Sequence, residues 1–86
     1  MPVNFPNDEA WDGTRMVISF AVESNGRRIK CAVSMEALQD HFEGDHLKPL
    51  EAFRAHRGQI ESIVEQLIAR QRFEPDGSIL VRTQNC

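Results

Sequence analysis

Residues 16–33 read Met-Val-Ile-Ser-Phe-Ala-Val-Glu-Ser-Asn-Gly-Arg-Arg-Ile-Lys-Cys-Ala-Val, and this stretch decides the fold. Met16, Ile18, Phe20 and Val22 alternate with Val17, Ser19 and Ala21, which is the period of a half-buried strand. Asn25-Gly26 is the strongest short hairpin signal, because both central residues of a type I′ turn need positive φ. A two-residue loop there pairs Ser24 with Arg27. Val22 then faces Ile29, Phe20 faces Cys31, and Ile18 faces Val33. All six apolar residues land on one side of the sheet, and a slip of one residue would destroy that agreement. The second strand is Arg28 to Val33. The opposite face carries Ser19, Ala21, Arg28 and Lys30 and is expected to be solvated.

An apolar sheet face needs a cover, and the longest candidate is a helix over 48–72. It is bracketed by Gly44-Asp45 and by Pro75-Asp76-Gly77. On a helical wheel Leu50, Phe53, Ile60, Ile63, Val64, Leu67 and Ile68 form one stripe roughly 140° wide. Pro49 suits the first turn. Gly58 lies mid-helix, where a lone glycine costs roughly 1 kcal/mol against alanine and marks a place for a kink or break. His56 and Arg57 intrude on the stripe and are expected to snorkel to water over its N-terminal end, or to form a polar element at an interface.

Between the hairpin and this helix, Ser34 is a good N-cap for a shorter helix, Met35 to Phe42, with Glu36 in its first turn. Leu38, Phe42 and Met35 share its face, and Gly44 ends it. After the Pro-Asp-Gly turn, Ser78 to Arg82 reads as a third strand. The order is strand, strand, helix, helix, strand. The expectation is a two-layer α+β domain: a three-stranded, mainly antiparallel sheet with both helices on one face. Residues 1–14 form an arm. In it Asn7 caps a single turn through Asp8, Glu9 and Ala10, and Phe5 and Trp11 anchor the arm to the core. Residues 83–86 are a polar tail.

Eighty-six residues with 41% apolar and 27% charged content fit one soluble domain, residues 1–86. No apolar run approaches the ~18 residues of a membrane span. The first residues lack the basic and apolar regions of a secretory signal. Two cysteines, Cys31 and Cys86, make no disulfide framework. These features point to the cytoplasm. A net charge of −3 argues against a dedicated nucleic-acid binder.

One set of segments is distinctive in its order and spacing. It comprises Phe5-Pro6, Trp11-Asp12, Val17 to Phe20 and the run Asn25 to Ser34. Glu36-Ala37-Leu38, His41-Phe42, Phe53-Arg54, Arg57, Ile60-Glu61 and Arg72 to Gly77 follow. This pattern resembles the domain of unknown function 1488 family of small, mostly proteobacterial proteins. The resemblance spans nearly the whole chain and implies a small α+β protein of a bacterial cytoplasm. It implies no catalytic residue, cofactor or partner.

The residues themselves offer little chemistry. Cys31, His41, His46 and His56 have no paired-ligand spacing, so no metal is expected. A Cys31 facing Phe20 in a hydrophobic layer would have its thiolate disfavoured, so an activated thiol is not expected either. No phosphate loop, dinucleotide fingerprint or nucleophile elbow occurs, and no cofactor is expected. Arg27, Arg28 and Lys30 cluster at the hairpin tip and outer face, and Arg54 and Arg57 lie at one edge of the long helix. Side by side they could hold phosphates. As a solvated face they would instead guard against edge pairing. The leading expectation is a non-catalytic cytoplasmic protein that acts through a protein-interaction surface, as a homodimer or with another protein. The surface would draw on Arg27, Arg28, Lys30, Arg54, His56 and Arg57. The alternatives are a nucleic-acid accessory protein using the basic hairpin patch and, behind it, a metal or thiol enzyme.

Overall fold

The computed structural model describes residues 3–85, so Met1, Pro2 and Cys86 lie outside the described residues. The elements run β1 (Val3–Asn4), β2 (Ala10–Asp12), β3 (Val17–Ser24), β4 (Arg27–Ser34), α1 (Met35–His41), α2 (Pro49–Ala55), α3 (Arg57–Ala69) and β5 (Ile79–Val81). A 3-10 turn, Thr83–Asn85, follows. The class is α+β, with one mixed sheet and three helices packed on one of its faces.

The hairpin has the register that its turn dictates. Asn25 and Gly26 have φ of 54° and 76°, the left-handed pair a type I′ turn requires. Val22 pairs with Ile29, Phe20 with Cys31 and Ile18 with Val33. Those residues meet Phe53 from α2 and Ile60, Val64 and Leu67 from α3 in a single core. The Phe20 and Phe53 rings sit 5.0 Å apart at its centre.

The sheet differs from the expected three strands at both ends. β5 pairs with β4 in parallel, Cys31 against Ile79 and Val33 against Val81. A connection long enough to hold three helices returns the chain in the direction it left, as parallel crossovers do. At the other end, β1 and β2 both pair with β3. The capped turn expected after Asn7 does not form: residues 3–4 and 10–12 pair with β3, and between them the Asp8 carboxylate accepts from the Ala21 amide. Phe5 packs against the core as expected. Trp11 does not anchor the arm: it is 37% exposed on the edge strand β2.

The long helix expected over 48–72 is two helices. The break falls at His56, φ −119° and ψ 24°, two residues before Gly58. The His56 amide still donates to Ala52 and Phe53, and its carbonyl accepts from Ile60, so the chain bends without stranding backbone groups. Gly58 has open space around it and sits in the first turn of α3.

α1 starts as read, with the Ser34 hydroxyl accepting from the Ala37 amide. It ends on Glu43, φ 61°, rather than on glycine. Gly44 is needed for a different reason: a Cβ there would lie 2.7 Å from the Leu38 carbonyl carbon. The outer sheet face is also less open than expected. Arg28 and Lys30 are exposed, but Ala21 and Ala32 are buried. They help floor a cleft of about 610 Å³, between Asp8 and Arg28 on one side and Pro75, Asp76 and Ser78 on the other. The loops on either flank fold over the sheet and cover its small residues.

Candidate functional site

The sequence singles out two basic groups, and the structure separates them by a strap of two acids. Asp8 and Glu9 are consecutive in the loop between β1 and β2. Asp8 points to the sheet: its carboxylate takes the Ala21 amide at 3.2 Å and the Arg28 guanidinium at 2.6 Å. Glu9 points to the helices and accepts from Arg57 Nη1 at 2.8 Å and Arg54 Nε at 3.0 Å. The Glu9 side chain is only 9% exposed. Arg57 also donates to the Pro6 carbonyl and to Glu61, and lies 5.3 Å over the Phe53 ring.

This geometry fixes the charges. The hydrogen bond from Arg57 holds the Glu9 carboxyl down at about 2, against the cost of burial and with help from Arg54. Burial works against the Arg57 charge, and its bonds to Glu9 and Glu61 outweigh it, so its pKa is raised. Arg28, Arg54 and Arg57 are each engaged by an acid of this chain, Arg28 and Arg54 with side chains more than half exposed and Arg57 mostly buried. Arg28 meets one acid of the strap, and Arg54 and Arg57 meet the other. Arg27 and Lys30 remain exposed.

His56 serves the corner between α2 and α3. Its Nε2 lies 2.9 Å from Glu43 Oε2 and its Nδ1 2.9 Å from Gln59 Oε1. Its ring stands 5.6 Å from that of Phe42. It pins the helix corner to the end of α1. Cys31 is buried in the core, and desolvation pushes its thiol up to about 12. His41 and His46 are both exposed. Among the described residues no group of three or more His, Cys, Asp and Glu side chains is placed to hold a metal. No described helix is long and apolar enough to cross a membrane.

A different feature stands out as a surface. β5 pairs with β4 on one side only, and among the described residues no strand covers its other side. Beside it runs a groove of about 390 Å³, walled by the end of α3 and the segment that follows. Ile63, Leu67, Phe73 and Leu80 supply its apolar lining, with Phe73 41% exposed. Its charged lining is Arg70, Arg72, Arg82 and Glu74. Arg82 is bound to Glu74 at 2.8 Å. The sequence holds the parts of this site, Arg70-Gln71-Arg72-Phe73 and Ile79-Leu80-Val81. Only the parallel placement of β5 at the sheet edge brings them together.

Residues 3–81 match the family described as "Protein of unknown function (DUF1488)". The chain is 36% identical over 76 residues to the uncharacterized protein YrdB of Escherichia coli K12, covering 87% of this chain and 89% of that one. It is 34% identical to YrdB of Shigella flexneri over the same shares. In three dimensions it is similar to a crystal structure of a protein of unknown function from the DUF1488 family of Shewanella loihica PV-4. The TM-score is 0.80 and the identity 26%, over 92% of this chain and 90% of the other. The chain belongs to the DUF1488 family.

Proposed function

We propose that this DUF1488 protein is a non-catalytic protein of the bacterial cytoplasm that acts through a protein-interaction surface, and that the surface is the β5 edge with its groove. One observation carries this reading: an apolar strand, Ile79–Val81, lies at the sheet margin with one side unpaired among the described residues. Open sheet edges are templates for another chain, and natural proteins usually cover or blunt them. An exposed Phe73 beside that edge adds an aromatic of the kind that anchors interfaces.

The non-catalytic part of the reading is supported by where the reactive side chains lie. Cys31 is a core thiol with its pKa pushed up, and His41 and His56 both stand against the Phe42 ring, where His56 is held by Glu43 and Gln59. Arg28, Arg54 and Arg57 are each engaged by an acid of this chain, which favours a protein surface over a phosphate-binding one.

Size-exclusion chromatography with light scattering tests the proposal, on the pure chain at millimolar concentration and on chain purified gently at low salt from its own host. Self-association or a stoichiometric partner is expected, with slowed amide exchange in β5. A clean monomer that carries no partner and keeps β5 freely exchanging overturns it.

A further inference from the structure

Resting on that reading of the β5 edge, we propose that its occupant is an extended acidic segment of another protein, added to the sheet as a sixth strand beside β5. The argument is charge. The whole chain carries −3, yet the groove along β5 holds Arg70 and Arg72 in addition to an Arg82 that is paired with Glu74. The surface next to the open edge is thus positive on a negative protein. Arg70 and Arg72 are exposed and make no ion pair with any described residue. They are available to a partner in a way that Arg28, Arg54 and Arg57 are not.

The mode of binding follows from the backbone. A strand laid against β5 takes its main-chain hydrogen bonds from the open side and lies along the flanking groove, with one set of alternate side chains on each of its faces. Its apolar face packs on the apolar lining, Ile63, Leu67, Phe73 and Leu80, and the long, exposed side chains of Arg70 and Arg72 reach the acids on its other face. A guanidinium binds a carboxylate through two parallel bonds, so the recognition is geometric as well as coulombic.

The same charges disfavour a second copy. An antiparallel two-fold pairing centred on Leu80 would match Ile79 with Val81 of the other copy, and its apolar faces would agree. It would also set each arginine-lined groove beside its own duplicate, and like charges facing across an interface are costly.

The experiment is an NMR titration of the full ¹⁵N-labelled chain with a blocked heptapeptide, Glu-Val-Glu-Val-Glu-Val-Glu, and with its lysine counterpart. The acidic peptide is expected to bind at least tenfold more tightly, shifting amides of 70–74 and 78–82, and to weaken as salt rises. A double variant, Arg70→Glu with Arg72→Glu, should keep the melting temperature of the native chain and reverse the preference between the peptides. Equal binding of the two peptides, no binding, or shifts confined to another surface overturns the acidic occupant. A stable dimer through β5 also overturns it, while leaving the interaction surface in place. A partnerless monomer that binds neither peptide removes both.

Discussion

The two margins of the sheet are finished in opposite ways. Along β3 the chain lays down two strands of its own, β1 and β2, of two and three residues. Between them Asp8 takes the Ala21 amide, so the side chain fills a gap in the ladder that the two short strands leave. Asp8 and Glu9 then tie that margin to β4 and to both long-range helices. Along β5 none of this is done. Its inward residues, Ile79 and Val81, are fully buried, but its outer side meets a groove instead of a strand. One margin ends in two short strands tied down by polar bonds within the chain, with no described strand beyond them. The other ends in β5, held by its pairing with β4 and by burial, with its outer side unpaired among the described residues. Both margins end in short strands, one of the ways proteins blunt an edge, and the groove with Arg70 and Arg72 sits beside β5.

The contrast makes β5 part of the core and β1 an appendage. Ile79→Ala should therefore be the most damaging change at either margin, costing about 2–5 kcal/mol through the cavity it leaves. Val3→Ala, at a half-buried site on β1, should cost about 1 kcal/mol or less. Urea denaturation of both variants at pH 7 checks the pair, and equal losses would mean that β5 is a frayed end rather than a core strand.

Next in size is the strap. Glu9→Gln keeps the shape of the side chain and removes its charge from two arginines, at a cost of about 1–3 kcal/mol. The pH dependence is specific. The Glu9 pKa falls from 4.5 to about 2 on folding, so the folded state favours the charged form. Its contribution is complete above pH 4.5 and is lost as pH falls toward 2. The stability gap between the native chain and Glu9→Gln should close over that window. A gap that stays constant down to pH 2 would show that Arg57 and Arg54 do not act through the Glu9 charge.

These features differ in how far the sequence reveals them, and distance along the chain is the reason. The hairpin is legible because alternation and an Asn-Gly turn are local, and its register came out residue for residue. The amphipathic stripe is legible too, since Phe53, Ile60, Val64 and Leu67 keep one phase through the break. The break itself is not. Gly58 attracts attention as the weak former, while the bend falls at His56, whose contacts are Glu43 and Phe42 in another segment. Asn7-Asp8-Glu9 reads as a helix start because capping chemistry is the nearest explanation for acids after asparagine. Its true partners, Arg54 and Arg57, lie 45 and 48 residues away. The direction of β5 is equally hidden, because Ile79-Leu80-Val81 has no alternation to assign faces and only the crossover sets its sense. The groove beside Arg70 and Arg72 depends on that direction, whereas the basic patch at the hairpin tip is legible from local sequence.

The smallest effect separates the two jobs of Asp8. Its pair with Arg28 is solvent-accessible, with side-chain exposures of 33% and 58%, so the ion pair itself should contribute about 0–1 kcal/mol and fade with added salt. Asp8→Asn removes that charge but leaves an amide oxygen for the Ala21 N–H. Asp8→Ala removes both. Global stability should therefore differ little between the native chain and Asp8→Asn in 1 M salt, where the Debye length shrinks to about 3 Å. The Ala21 amide should exchange at the native rate in the asparagine variant and faster in the alanine one, because only the latter strands a donor at the gap between β1 and β2. If the two variants exchange alike, the gap is closed by something other than the Asp8 oxygen, and the polar closure of the β3 margin rests on Glu9 alone.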